Sequence, residues 1–182
     1  MKKNLWIIIV AIVAIISLMV VFVGCDKKIE PTTPDVTPDE GLTATTFFSA
    51  AAGVSNPNVV ISLISDIDGE DVEIYSRSSK GVETNPYNID TTVVPSTENA
   101  ANLSYREGLF STTQIIGTKL VAKVTTPKEY LGITDSDITI GDATVIIELD
   151  SDNVLKSIKV VYDMTISTLE YQATITISPS KS

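Results

Sequence analysis

The residues that could carry chemistry in this chain are of few kinds, and these kinds limit the reactions that it can perform. The sequence has one cysteine, Cys25, and no histidine, against 23 aspartates and glutamates. Without histidine there is no Ser-His-Asp or Cys-His arrangement and no histidine-ligated zinc. The side chain that most often serves as a general base near neutral pH is also missing. An enzyme built from this chain would depend on carboxylates, lysine, tyrosine or serine, and we expect a protein that is not an enzyme.

One acidic segment looks at first like the beginning of a calcium-binding loop. It contains Asp66, Asp68 and Asp71. The glutamate that an EF-hand needs at its twelfth position would fall at Arg77, so the motif fails. Asp68 and Gly69 are instead the strongest short signal for a two-residue hairpin turn. We therefore predict a turn here, with no metal ion and no other cofactor.

Two further acidic clusters follow along the chain. The first contains Asp135, Asp137 and Asp142, and the second contains Asp150 and Asp152. Each coincides with a predicted turn, where aspartate is favoured because its side chain hydrogen-bonds the local backbone. Two carboxylates facing each other in a cleft could hydrolyse a glycosidic bond. A carboxylate-dependent hydrolase is thus one alternative function, although no pattern in the sequence brings such a pair together.

The N-terminal segment explains the single cysteine. Lys2 and Lys3 precede a long apolar run, Leu5–Val23, and Gly24 stands directly before Cys25. This arrangement resembles the signal peptide and lipobox of bacterial lipoproteins, which implies cleavage after residue 24 and a diacylglyceryl and acyl modification of Cys25. The run is also about as long as a membrane-spanning helix of roughly 20 residues, so a retained transmembrane anchor is the alternative.

Charge and anchoring together restrict the partners that we expect. The chain has 13 basic residues, and removing Lys2 and Lys3 leaves 11 against 23 acidic ones, a formal charge of −12. Nucleic-acid binding is excluded because it depends on neutralising phosphates. Anionic headgroups would repel the domain, so we expect membrane contact through the lipid on Cys25 alone. The predicted location is the extracytoplasmic side of the cell membrane, in the periplasm or on the cell surface.

Composition divides the chain into three parts. Residues 1–24 form the predicted signal peptide, and residues 25–40 comprise the lipidated cysteine and a stalk rich in proline, threonine and aspartate. Proline fixes φ and lacks a backbone donor, so we expect this stalk to be extended and disordered. Residues 41–182 have globular composition and are long enough for a single, mainly β domain with one modest core.

The domain begins with a predicted helix and continues almost entirely as strands. Leu42–Val54 carries alanine, phenylalanine and leucine at helical spacings, with Thr43 or Thr45 as N-cap. Asn58–Ile67 and Asp71–Ser78 flank the predicted Asp68–Gly69 turn, and Ser79–Asn102 is rich in turn residues.

The C-terminal third carries the clearest strand pattern. Lys119–Thr125 is a further strand, and Pro127 with Glu129 three residues after Thr126 predicts a capped turn of helix that ends at Gly132. Apolar residues then alternate with mostly polar ones along three segments, which predicts three antiparallel strands with one buried face. The alternating positions are Val145, Ile147 and Leu149; Ile158, Val160, Tyr162, Met164 and Ile166; and Tyr171, Ala173, Ile175 and Ile177.

The order of lipobox, stalk, helix and antiparallel meander resembles the lipid-carrier lipoproteins of the LolA and LppX/LprG type. The resemblance implies an α+β fold, mainly β, in which a curved half-barrel sheet wraps around a helix; a β-sandwich is the alternative. It also implies a cavity for acyl chains, here within a sheet of seven or eight strands where that family has about eleven. The lining residues of such a cavity would be Phe47, Phe48, Ile158, Val160, Tyr162, Met164 and Ile175.

These observations favour a membrane-anchored, non-enzymatic lipoprotein that binds a hydrophobic ligand, such as a lipid, or a protein partner. A purely structural or adhesive surface lipoprotein without a cavity is the first alternative, and the hydrolase is the second. The seven residues above are also the predicted core. Their pattern therefore fits a cavity and a packed interior equally well.

Overall fold

The computed structural model describes residues 41–180, which contain one antiparallel sheet and three short helices. The helices, numbered in chain order, are α1 (Ala44–Ala52), α2 (Thr97–Ala101) and α3 (Pro127–Tyr130). The strands are β1 (Asn58–Ile67), β2 (Glu70–Ser78), β3 (Glu83–Thr84), β4 (Phe110–Ile116), β5 (Lys119–Val124), β6 (Ile138–Leu149), β7 (Leu155–Ile166) and β8 (Leu169–Ser178). Single 3-10 turns at Thr91–Val93 and Glu107–Leu109 complete the described structure.

All eight strands form one open sheet in the order β3-β2-β1-β8-β7-β6-β5-β4. Every pairing is antiparallel. The prediction of a mainly β, α+β fold built on an antiparallel meander is confirmed, and the number of strands lies within the expected range. A β-sandwich needs two sheets, so that alternative is wrong for residues 41–180.

Helix α1 begins and ends as the sequence predicts. Thr43 is the N-cap, because its hydroxyl accepts a hydrogen bond from the backbone N–H of Thr46 at 3.3 Å. At the other end the N–H of Gly53 bonds the carbonyl of Ser49. The helix buries Phe47, Phe48 and Ala51 against the sheet, where it contacts β6 and β7.

The predicted hairpin between β1 and β2 is confirmed, and its turn has the expected chemistry. Asp68 and Gly69 both have positive φ, 55° and 88°. Two consecutive residues of this kind define a type I′ turn, whose twist matches that of the flanking strands. The carboxylate of Asp66 accepts a hydrogen bond from the N–H of Gly69 at 2.7 Å, which holds the turn closed.

The C-terminal meander has the register that alternation requires. Val160 of β7 lies between Val145 of β6 and Ile175 of β8, and all three are fully buried. Lys159 is exposed and Thr174 is half-buried on the other face. Shifting one strand by a single residue would move its whole apolar set to the solvent side, so burial fixes this register.

Several details differ from the prediction. Strand β6 begins at Ile138, seven residues before the predicted segment, and it contains Asp142 at a register shift, so the expected turn at Asp142 is wrong. Helix α3 has proline at its first turn and ends at Tyr130, two residues before Gly132, whose φ is +67°. However, Thr126 makes no side-chain cap. Its backbone carbonyl instead accepts the N–H of Tyr130 at 2.9 Å.

Helix α2 and strands β3 and β4 are absent from the prediction. Helix α2 lies within the predicted loop region and packs on β1 and β8. Strand β4 was not expected because six of its seven residues are exposed and its sequence shows no alternation of apolar and polar residues. With α1 and α3, helix α2 covers the inner face of the sheet, while the outer face stays open to solvent.

Candidate functional site

The seven residues predicted to line a cavity are brought together, and the structure packs them against one another. Phe47 and Phe48 come from α1, and the others come from β7 and β8. None of the seven is more than 5% exposed, and all belong to one hydrophobic cluster. The ring of Phe48 stacks on that of Phe110 with centroids 5.0 Å apart. The inner face of the sheet is therefore largely filled by the side chains of the domain itself.

One of the seven residues, Ile158, also borders a hollow on the surface. We call this the Arg106 hollow; its volume is about 390 Å³. It lies where the end of α1 and the segment after α2 meet β7 and β8. Its lining comprises Ala51, Ala52, Val54, Pro57, Ala101, Asn102, Leu103, Ser104, Tyr105, Arg106, Ile158 and Ile177.

The lining of the Arg106 hollow divides into an apolar wall and a cationic rim. Ile158, Ile177 and Ala51 are buried and form part of the wall. Arg106 is exposed and belongs to the rim. The sequence has only two arginines, and the other, Arg77, forms an ion pair with Glu83 at 2.9 Å. Within residues 41–180, Arg106 has no carboxylate within ion-pair distance.

Tyr105 brings a second polar group to the same wall. Its side chain is 9% exposed, and its hydroxyl has no hydrogen-bond partner among the described protein groups. Burial raises the pKa of Tyr105 because the phenolate would lose its hydration. Burial, and after it the proximity of Tyr105, raises the pKa of Tyr130 in the same way. The phenol of Tyr105 is therefore neutral, and its hydroxyl is buried in the wall of the hollow.

A second hollow, of about 430 Å³, lies on the other side of Val54. No charged side chain lines it, and Val54 is the residue that the two hollows share. Its lining comprises Ser49, Ala50, Gly53, Val54, Ser55, Asn153, Val154, Leu155, Pro179 and Ser180. The two hollows thus flank the C-terminal end of α1.

The acidic residues of the turns serve the local backbone. The carboxylate of Asp150 accepts hydrogen bonds from the N–H groups of Asp152 and Val154, both at 2.9 Å. The carboxylate of Asp135 accepts one from the N–H of Asp137 at the same distance. In the described part of the chain, no three residues of the types His, Cys, Asp and Glu come close enough to hold a metal ion. The expected indifference to calcium stays a prediction.

Asp163, which is exposed on the sheet, is the carboxylate whose pKa responds to two other acidic side chains. Desolvation, and after it the charges of Asp142 and Glu170, raise the pKa of Asp163. Asp142 itself is held by the ammonium of Lys123 at 3.0 Å. These side chains are exposed on an open surface and do not face each other across a cleft.

The sequence pattern gave no indication of the Arg106 hollow. Residues Asn102–Arg106 lie between α2 and a 3-10 turn, where no periodicity marks the inner side of the chain. The one available signal was the rarity of arginine, because the sequence has only two arginines and a strongly negative net charge. Cys25 and the segment 1–40 lie outside the described residues.

Comparison with protein-family models, curated proteins and solved structures finds no match to this chain. The resemblance to bacterial lipoproteins and lipid carriers therefore stays a prediction from sequence. Within residues 41–180, no helix has the length and apolarity needed to cross a membrane.

Proposed function

We propose that this chain is a non-enzymatic extracytoplasmic lipoprotein, anchored through Cys25, whose domain binds a small anionic amphiphile in the Arg106 hollow. The observation that carries the proposal is the guanidinium of Arg106, which no carboxylate of residues 41–180 pairs, on the rim of a partly apolar hollow. The predicted lipidation of Cys25 and the net negative charge support a domain tethered at a membrane but not adsorbed to it.

The size and charge of the hollow define the class of ligand. Ligand sites typically enclose about 300–1,000 Å³, so a hollow of 390 Å³ is near the lower limit. It suits one short acyl chain better than a two-chain lipid. A charge-assisted hydrogen bond to Arg106 would contribute about 1.5–3 kcal/mol. A single-chain carboxylate or phosphate monoester meets both requirements.

The test compares two probes that differ only in the head group. Residues 41–182, which contain the whole described core, are titrated with a fluorescent fatty acid and with the alcohol of the same chain. We expect the acid to bind more tightly. Arg106→Gln should lower the affinity for the fatty acid by about 5- to 50-fold, since the loss of one charged hydrogen bond costs about 1–2.4 kcal/mol after solvent screening. The alcohol should bind the variant and the parent equally.

Two further variants separate binding in the hollow from general effects. Lys159→Gln removes a positive charge from the outer face and should leave both probes unchanged. Ala52→Phe places a ring at an exposed lining position of the hollow, and it should weaken the binding of both probes. If Arg106→Gln and Lys159→Gln lower the affinity for the fatty acid equally, only net charge matters, and the proposal fails.

The packed core favours one other function specifically. All seven predicted lining residues are buried within one hydrophobic cluster, as expected for a surface lipoprotein that has only a structural or adhesive role. Native mass spectrometry after expression in several hosts distinguishes the two functions. Co-purifying amphiphile supports the ligand-binding proposal, whereas an unliganded mass together with no probe binding supports the structural role.

A further inference from the structure

Strand β4 forms an exposed edge of the sheet, and nothing in the described structure pairs with its outer side. It is the last strand in the sheet order, next to β5 only. Residues Ser111–Ile116 are all exposed. Natural proteins usually protect such edges with charged residues, proline, very short strands or a covering segment. From Phe110 to Thr118 this chain has neither a charged residue nor a proline.

The register shows which backbone groups of β4 are free. Gly117 and Thr118 form a two-residue turn between Ile116 and Lys119, which are directly paired. In such a hairpin the pair that flanks the turn exchanges both hydrogen bonds, and every second pair along the ladder does the same. The N–H and C=O groups of Ile116, Gln114 and Thr112 therefore point to β5. Those of Ile115 and Thr113 point away from the sheet.

The opposite edge of the sheet is protected in the usual way. Strand β3 has only two residues, and Glu83 in it is ion-paired with Arg77. Beyond β3, the free part of β2 carries Glu70, Asp71 and Glu73 within four residues. A strand approaching there would meet like charges, because the domain as a whole is acidic. The two edges therefore differ: one repels an added strand and the other accepts it.

We infer that β4 is an interaction surface on which a second copy of this chain docks by antiparallel β4–β4 pairing. Each copy has a strongly negative charge, so two copies can approach closely only where no acidic residue stands at the contact, and β4 is such a place. Antiparallel pairing of identical strands is symmetric about a two-fold axis, so each copy offers the other the surface that it needs. Predicted tethering to one membrane would raise the effective concentration of the copies.

The pairing would also bury exposed apolar side chains on both faces of β4. Ile115 is 40% exposed on the inner face and Ile116 is 57% exposed on the outer face. A strand added beside them would cover part of both. Because the β2 and β3 edge repels strands, the assembly closes as a dimer with a continuous sixteen-stranded sheet and does not grow into a filament. This inference concerns a different surface from the Arg106 hollow.

Thiol cross-linking of the full chain in its membrane tests the inference. Thr112→Cys and Gln114→Cys place thiols on exposed positions of β4, and Gln172→Cys places one on an exposed position of β8, four strands away. A short bifunctional maleimide should give a covalent homodimer for the β4 variants only. The parent chain reports any reaction through Cys25. A product with another polypeptide, equal dimer for Gln172→Cys, or no dimer at either β4 position would overturn the inference.

A proline variant tests the hydrogen-bonding mode. Thr113→Pro removes an N–H that points away from β5, so it leaves the internal ladder intact while it blocks a strand on the outer side. In the Gln114→Cys background it should abolish the homodimer, whereas Thr113→Val should retain it. The circular dichroism spectrum and the urea unfolding midpoint of the proline variant are compared with those of the parent to check that the variant is folded. A folded Thr113→Pro variant that still cross-links would refute strand pairing.

Discussion

Replacing Val160 by aspartate tests two features together: the register of the C-terminal strands and the exclusion of water from the core. Val160 is fully buried, and Val145 and Ile175 on its two neighbouring strands are fully buried as well. Losing the burial of a valine side chain costs about 1.5–3 kcal/mol. No charged residue is buried among residues 41–180, so the new carboxylate would have no opposite charge beside it. An unpaired buried charge adds about 3–5 kcal/mol.

The expected destabilisation is therefore about 5–8 kcal/mol, against a total stability of about 5–15 kcal/mol for domains of this kind. The variant should be largely or wholly unfolded at neutral pH. Its defect should shrink at acid pH, because burial raises the pKa of the new carboxyl group. The cost of ionising it is then absent below its unfolded pKa of about 4 and grows as the pH rises above that value.

Urea unfolding of residues 41–182 followed by circular dichroism measures these differences. Thr176→Asp is the matched control, since it changes the charge by the same amount on the outer face, directly opposite Lys159. It should cost no more than about 1 kcal/mol. Val160→Ala removes two carbon atoms without adding charge and should cost about 2–3 kcal/mol. If Val160→Asp and Thr176→Asp are equally destabilised, the register is wrong.

The remaining predictions concern the anchor and alkaline pH. Cys25→Ser should abolish labelling by a fatty-acid analogue and leave the uncleaved precursor in the membrane; equal labelling of variant and parent would contradict lipidation at this residue. Burial raises the pKa values of Tyr105, Tyr130 and Tyr162 above the ordinary value of about 10. The stability that these neutral phenols contribute is complete below about pH 10, and above it decreases by up to about 1.4 kcal/mol per pH unit for each of them. Phenolate absorbance and circular dichroism should therefore change together in an alkaline titration, and ionisation of all tyrosines without unfolding would contradict the prediction.

Much of the fold could be predicted because burial imposes a period on the sequence. In β7 and β8 one side chain in two is buried, so the sheet period of two is visible in the residue types, and the register follows from it. The β1–β2 hairpin was equally accessible, because few residues other than Asp and Gly adopt two consecutive positive φ angles. In these places local propensity and packing require the same residues.

Strand β4 shows where this reasoning fails. Six of its seven residues, Ser111–Ile116, are β-branched or polar and exposed, so no burial pattern distinguishes it from a loop. Its place in the sheet depends on backbone pairing with β5 and on Phe110, whose ring lies between those of Phe48 and Tyr130. These are contacts between distant segments, which a local pattern does not contain. The same holds for Arg106, whose position beside Ile158 and Ile177 results from the path of the chain after α2.

The two surfaces assigned to binding are thus the ones that the sequence pattern did not reveal, and this has a physical reason. A side chain that the core requires, such as Val160, has a residue type fixed by packing and is unavailable for a partner. Arg106 and Thr113 are exposed, and neither contributes to the buried cluster. Among the described residues, every buried side chain is of a hydrophobic type, so stability is concentrated in the inner face of the sheet. The rim of the hollow and the free edge of β4 can therefore change residue by residue without loss of the fold, which makes each of them testable by single substitutions.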